Sequence, residues 1–210
     1  MKNMENDDVF IDMKKYFNKT LADHGDTPRG VDWNGEESQT ARFKQLCRII
    51  EAPEPFSVND LGCGYGALYD FLTSSHSAFS YNGIDISEEM IRVAKHRYRE
   101  CQNAQFVVGK EPRDTADYSV ASGIFNIHFN RGEEEWFNHI RATLDTLNQR
   151  SRLGFAFNCL TTYSDADKMR DYLYYADPSR LFELCKRRYS RKVALLHDYE
   201  YFEFTILVKK

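Results

Sequence analysis

Asp60-Leu61-Gly62-Cys63-Gly64-Tyr65-Gly66 holds the residue types and spacing that could do chemistry. An acid precedes three glycines set at every second position. Glycine reaches positive φ without a Cβ penalty and lets a ligand approach the backbone closely. Ala67, Leu68, Phe71 and Leu72 follow at helical spacing, so the turn aims unpaired helix N–H groups outward. About twenty residues on, the apolar run Tyr81-Asn82-Gly83-Ile84 ends in a second acid, Asp85. In a β-α-β unit, a carboxylate at the tip of the second strand can take both hydroxyls of a ribose. Glycine turn and strand-end acid together read as a site for an adenosine-containing cofactor.

Further candidates follow the later strands and precede the first. Asn126 and His128 come after the fourth strand; Asn158, Thr161, Tyr163 and Asp165 come after the fifth. His128 could act as a general base, or be a surface or structural histidine. His197 stands before the last hairpin. Asn126 and Asn158 could meet substrate or simply cap strand ends. In the N-terminal segment, Tyr16, His24, Trp33 and Arg42 could form a lid, with Arg42 meeting a carboxylate as a fixed cation. Otherwise Trp33 anchors a loop and Arg42 lies on a solvated helix face. The tyrosine-rich segment 160–175 is an opposing wall or a packed loop. Glu133, Glu134 and Glu135 complement a helix dipole. The five cysteines are scattered, with no C-x-x-C or Cys/His cluster. No metal is expected, and the thiols suit a reducing compartment.

These residues need elements to position them. Residues 1–6 look frayed, and Asp7 or Asp8 caps a first helix carrying Phe10, Met13, Phe17 and Leu21. After a loop over 24–35, Ser38 caps a second helix with Phe43, Leu46, Cys47 and Ile50, ended by Pro53 and Pro55. Strands are expected at 57–61, 79–85, 105–108, 118–124, 152–158, 193–196 and 202–208. Helices are expected at 67–75, after Ser87, from Glu133 through Leu147, and from Asp177-Pro178 to about Arg188. In the last strand Phe202, Phe204, Ile206 and Val208 alternate with Glu203, Thr205 and Leu207. Alternating strands and helices imply an α/β three-layer sandwich. Its seven-stranded sheet is mostly parallel, with helices on both faces. The last strand is antiparallel, because no crossover fits before it. Residues 1–52 form a helical covering segment and 53–210 the cofactor-binding domain.

At 210 residues, with 42% hydrophobic and 14% aromatic content, the chain can bury a core as one domain. Net charge is −4 with no concentrated Lys/Arg run, which disfavours nucleic-acid binding. No apolar run approaches the roughly 18 residues of a membrane span, and Met-Lys-Asn-Met-Glu-Asn-Asp-Asp is not a signal peptide. A cytoplasmic monomer or homodimer is expected.

Residues 38–210 resemble the class I S-adenosylmethionine-dependent methyltransferases. Asp60 through Gly66 are similar to that family's acid-x-Gly-x-Gly-x-Gly signature. The resemblance implies cofactor contacts from Asp60, Gly62, Cys63 and Gly64, a ribose contact from Asp85 and an adenine contact from Ile86. Ser122-Gly123-Ile124 matches the end of the fourth strand, close to the sulfonium. S-adenosylmethionine is then the cofactor and S-adenosylhomocysteine the product of an in-line methyl transfer. One departure is Gly109-Lys110-Glu111, where the family often shows Gly-Asp; adenine contact there falls to backbone, Glu111 or Asp114. A nicotinamide-binding oxidoreductase competes, since Gly62-x-Gly64-x-x-Ala67 formally fits its pattern. An acid beside the first glycine repels a pyrophosphate, however, and suits a cationic methionyl amine. A non-catalytic protein of the same fold is the other alternative. The expected acceptor is a small molecule facing Tyr16, Trp33, Asn126, Asn158 and Tyr163. Oxygen is favoured slightly over nitrogen, because His128 and the tyrosines offer a base.

Overall fold

The structure, a computed structural model, describes residues 4–210, with side chains from Val9 onward. Its helices are α1 (Met4–His24), α2 (Glu36–Leu46), α3 (Ala67–Thr73), α4 (Glu88–Arg97), α5 (Glu133–Gln149) and α6 (Pro178–Arg188). Short 3-10 turns occupy Pro28–Val31 and Cys47–Ile49. The strands are β1 (Phe56–Leu61), β2 (Phe79–Asp85), β3 (Ala104–Val108), β4 (Ala116–Ala121), β5 (Ser151–Leu160), β6 (Lys192–Leu196) and β7 (Glu203–Lys209).

They form one seven-stranded sheet in the order β3-β2-β1-β4-β5-β7-β6. Only β7 opposes the rest, pairing antiparallel with both β5 and β6. The connection 197–202 is too short for a crossover, so β7 must return alongside β6. The order reverses between β1 and β4, which opens a crevice at the C-terminal strand ends.

Each sheet face has its own core. Phe43 and Leu46 of α2, Leu68 and Leu72 of α3, and Ile91 and Ala94 of α4 pack on Val58, Tyr118, Val120 and Leu207. On the other face, Trp136, Ile140, Leu144 and Leu147 of α5 and Leu181 of α6 pack on Phe155, Phe157, Phe204, Ile206 and Val208. The period-two alternation of β5 and β7 thus feeds both cores. Helix starts follow local chemistry. Ser87 Oγ accepts from Met90 N at 3.0 Å, with Glu88 and Glu89 in the first turn of α4. Asp177 Oδ1 accepts from Ser179 N at 2.8 Å beside Pro178.

Two expected caps are corrected. α1 already runs from Met4, so Asp7 and Asp8 lie inside it, and residues 4–6 are helical; residues 1–3 lie outside the described residues. α2 starts after Gly35, and the Ser38 hydroxyl donates back to Gly35 O at 2.9 Å from inside the first turn. β4 stops at Ala121, leaving 122–124 as a turn.

α1 has a structural task that its position in the chain hides. The connection 109–115 between β3 and β4 carries no helix. Val9 and Met13 of α1 instead join Leu61, Ile84 and Ala121 in one cluster, with Phe10, Ile86, Val107 and Ile124 against it. The N-terminal helix covers sheet surface that a crossover helix would otherwise cover. Among the described residues, no helix is long and apolar enough to cross a membrane.

Candidate functional site

The glycine turn is fixed where β1 meets β2. Gly62 N and Cys63 N both donate to Ile84 O, at 2.7 and 3.1 Å. Gly62 sits at φ +78°, and a Cβ there would lie 2.2 Å from Ile124 Cγ2, so the turns after β1 and β4 touch. Asp85 closes the same corner: Oδ2 accepts from Gly64 N at 2.9 Å and Oδ1 from Ser87 N at 2.8 Å. Each carboxylate oxygen keeps a further lone pair for a ligand hydroxyl. Burial pushes the Asp85 pKa up, and the Ser87 and Gly64 N–H groups oppose that rise. Burial also pushes Asp60 up, to about 7, against the opposing hydrogen bond from Tyr81; the nearby Asp85 charge adds to the rise. Tyr81 OH donates to Asp60 Oδ2 at 2.5 Å.

A second network crosses the ends of β4, β5 and β7. Gly123, at φ +73°, lies under the Trp33 indole, where a Cβ would come 2.4 Å from Cζ2. Its N–H donates to Asn158 Oδ1 at 2.8 Å, and Asn158 Nδ2 donates to Glu203 Oε2 at 2.9 Å. Arg42 Nε donates to the same Glu203 oxygen at 2.7 Å, and Nη1 to Ser38 O at 2.6 Å. The guanidinium lies 4.1 Å from the Trp33 ring centroid and 4.9 Å from that of Tyr201. Arg42 is therefore not on a solvated face: it is 7% exposed.

Both networks border one cavity of about 310 Å³, within the range of small-molecule sites. Asp60, Gly62, Cys63, Gly64, Asp85, Ile86, Ser122, Gly123, Arg42, Trp33 and Asn126 all line it, as do Gly109 and Lys110. Glu111 and Asp114 do not. Phe10, Met13 and Phe17 of α1 close one wall, and Tyr172 and Leu173 bring in the loop after β5.

His24, Thr161, Asp165 and His197 lie outside that lining, as do four further expected site residues, each of these four for a visible reason. His128 places Nδ1 3.1 Å from Arg131 O and Nε2 2.7 Å from Asp171 O, so both ring nitrogens are turned to backbone carbonyls and not into the cavity. Tyr16 OH donates to Asp32 Oδ2 at 2.9 Å and ties α1 to the following turn. Asn158 is wholly buried and spent on Gly123 and Glu203. Tyr163 is 71% exposed, its ring beside His197.

The structure adds two residues that sequence reasoning missed. His139 of α5 lines the cavity and stacks on Trp136 at 4.8 Å. Burial pushes its pKa down to about 4, with Arg131 contributing. Glu203 also lines the cavity and is wholly buried. Its only sequence signal was an acid between Phe202 and Phe204 in a strand that proves covered on both faces. Among the described residues, the buried side-chain atoms without a partner are Ser122 Oγ, Asn148 Oδ1 and Glu203 Oε1. The serine and the glutamate belong to the cavity wall, as expected of a surface shaped for a polar ligand. No group of three or more His, Cys, Asp or Glu among the described residues is arranged to hold a metal.

Residues 58–149 match the family model of a methyltransferase domain. The methyltransferase-family protein Rv1506c of Mycobacterium tuberculosis is 60% identical over 163 residues, covering 78% of this chain and 98% of that protein. Among solved structures, magnesium protoporphyrin IX methyltransferase of Synechocystis PCC 6803, with bound S-adenosylhomocysteine, aligns over 94% of this chain and 98% of its own. Its TM-score is 0.66 at 14% identity. Human N-acetylserotonin methyltransferase, in complex with S-adenosylmethionine, aligns over 83% of this chain and 54% of its own, with TM-score 0.59 at 16% identity. The identity to Rv1506c shows a methyltransferase, and the seven-stranded fold shared with the cofactor-bound structures gives its class: the chain belongs to the class I S-adenosylmethionine-dependent methyltransferases.

Proposed function

We propose that the protein methylates a hydroxyl group of a small molecule held on the β4–β7 side of the cavity. The observation that carries this reading is the shared cavity itself. Cofactor-type residues enter from the ends of β1–β3, and Trp33, Arg42, Asn126 and Glu203 enter beyond β4. The residues fit S-adenosylmethionine: the close backbone of the glycine corner, a strand-end acid at Asp85 and Ser122, whose Oγ has no partner, all line the cavity. When bound, the cofactor supplies a methyl group on a sulfonium. Asp85 takes the ribose hydroxyls, Ile86 and Met90 flank the adenine, and the Gly109–Lys110 backbone borders its edge. Asp60 faces the methionyl ammonium and Arg42 the carboxylate. Phe10, Met13, Phe17, Val31 and Trp33 of the segment before β1 cover the site and exclude water.

Such a reaction depends mainly on positioning and water exclusion, because the reagent is already activated. The hydroxyl reading no longer leans on His128. It rests on the polar groups beyond β4, Asn126 and Glu203. The two solved neighbours are named for small acceptors, a protoporphyrin and an N-acetylserotonin, which supports a small molecule here. Five free cysteines suit a reducing compartment such as the cytoplasm.

Calorimetric titration tests the reading. S-adenosylhomocysteine should bind and nicotinamide dinucleotides should not. Labelled methyl should then pass from S-adenosylmethionine to members of a hydroxylated small-molecule panel. Absence of S-adenosylhomocysteine binding would sink the proposal, and transfer only to amines would overturn its oxygen part.

A further inference from the structure

The ion pair between Arg42 and Glu203 leaves one oxygen over. Glu203 opens β7 and pairs with Leu160 at the end of β5. Because β7 runs antiparallel, its first residue stands at the sheet edge where the parallel strands end. Glu203 is 0% exposed and sits in the cavity wall. Oε2 accepts from Arg42 and Asn158, whereas Oε1 has no partner. A buried acceptor without a donor is costly, more so when the group is charged. That oxygen awaits a ligand.

Its place in the sheet indicates which ligand. With strands about 4.8 Å apart, β7 is about 10 Å from β4 and about 14 Å from β1 across the edge. The adenosine corner, at Asp60, Gly64 and Asp85, is therefore out of reach. The methionyl carboxylate facing Arg42 has no hydrogen to donate, so the methyl acceptor is the group left to complete Oε1. Electrostatics indicate what part of it. Arg42 already balances the carboxylate at 2.7 Å, so a second cation is not needed. A neutral donor completes the remaining lone pairs without adding charge.

We propose that Glu203 selects a hydroxylated methyl acceptor, its Oε1 taking a hydrogen bond from an acceptor hydroxyl while Arg42 and Asn158 hold the carboxylate in place. The inference rests on the methyl-transfer reading of the same cavity. Glu203 receives no proton in this role: the hydroxyl it orients keeps its hydrogen and is not the one methylated, whose proton leaves to solvent.

The test compares probes that differ only in the donor: phenol against anisole for aromatic hydroxyls, and cyclohexanol against its methyl ether for aliphatic ones. Each is titrated, by ligand-observed NMR, into protein saturated with S-adenosylhomocysteine. Wild type should prefer the hydroxyl member of at least one pair by about tenfold, as expected for a hydrogen bond to a charged group; the pair that responds identifies the source. In Glu203→Gln, Arg42 Nε and Asn158 Nδ2 still require an acceptor, so the amide oxygen stays with them and the amide NH₂ faces the cavity. The preference should vanish or turn toward the ether, with S-adenosylhomocysteine binding retained. Wild type binding both members alike, or neither, overturns the inference without any variant. So does a preference that survives in Glu203→Gln. If that variant loses cofactor affinity instead, Glu203 serves to position Arg42 and the proposal fails. Failure of wild type to bind S-adenosylhomocysteine at all would mark failure of the underlying methyl-transfer reading.

Discussion

Asp85 and Asp60 are both buried strand-end acids, but their partners give them different behaviour. Asp85 is held by two backbone N–H groups, Gly64 and Ser87, and so shapes the glycine corner besides offering its lone pairs. Asp85→Ala should weaken S-adenosylhomocysteine binding about tenfold or more, while His128→Ala leaves it unchanged, since both imidazole nitrogens are spent on carbonyls. Equal losses in calorimetry would contradict the ribose assignment. Asp60 titrates near 7, well above its ordinary value, because burial disfavours its charge. A bound methionyl ammonium favours the ionised form. Affinity should therefore rise with pH up to about 7, by at most about tenfold per pH unit, and level off above. Asp60→Asn should abolish the slope, and in wild type the binding enthalpy should differ between buffers of different ionisation enthalpy, which reads out the released proton. The glycine corner was readable from sequence because its parts are close along the chain. Glu203 was not, because Arg42 and Asn158 lie 161 and 45 residues away.

The elements were legible where local chemistry and burial agree. The apolar runs that became β1 and most of β5 are covered on both faces, and Ser87 and Asp177 cap the helices they precede. Ser38 misled because the helix begins one turn earlier, after an extended Gly35 whose carbonyl accepts from both Gln39 N and the Ser38 hydroxyl. The apolar stripe of α1 was visible, but its destination depends on how short 109–115 is. The turn after β4 is the most constrained junction, since Gly123 accepts both a left-handed backbone and the Trp33 indole. Gly123→Ala should cost about 1–3 kcal/mol from backbone strain alone and displace Trp33 from the cavity. Denaturant unfolding should show the loss, together with weaker cofactor binding. In a Trp33→Ala background the same substitution should cost less, because the clash is gone while the strain stays.

Across the whole molecule, the cavity sets two buried titrations against each other. His139 has a folded pKa of about 4, below its ordinary 6.5, because burial disfavours its charge. Its contribution to stability is present above pH 6.5 and is lost as pH falls toward 4. Asp60 is the reverse, about 7 when folded against an ordinary 3.8. Its contribution is present below pH 3.8 and is lost as pH rises through 7. Between about pH 4 and 6.5 the folded chain holds the proton of Asp60 while the unfolded chain holds that of His139, so the two slopes oppose. Each substitution should therefore unmask the other group. Relative to wild type, stability of His139→Asn should decline as pH rises from 4.5 to 6.5, at up to about 1.4 kcal/mol per pH unit. Stability of Asp60→Asn should climb over the same interval with the opposite sign. Urea unfolding at pH 4.5, 5.5 and 6.5 measures both. Parallel curves for the two variants and wild type would mean that burial disfavours the charge of neither group. The cavity would then be wetter than its apolar walls from α1 and α5 imply.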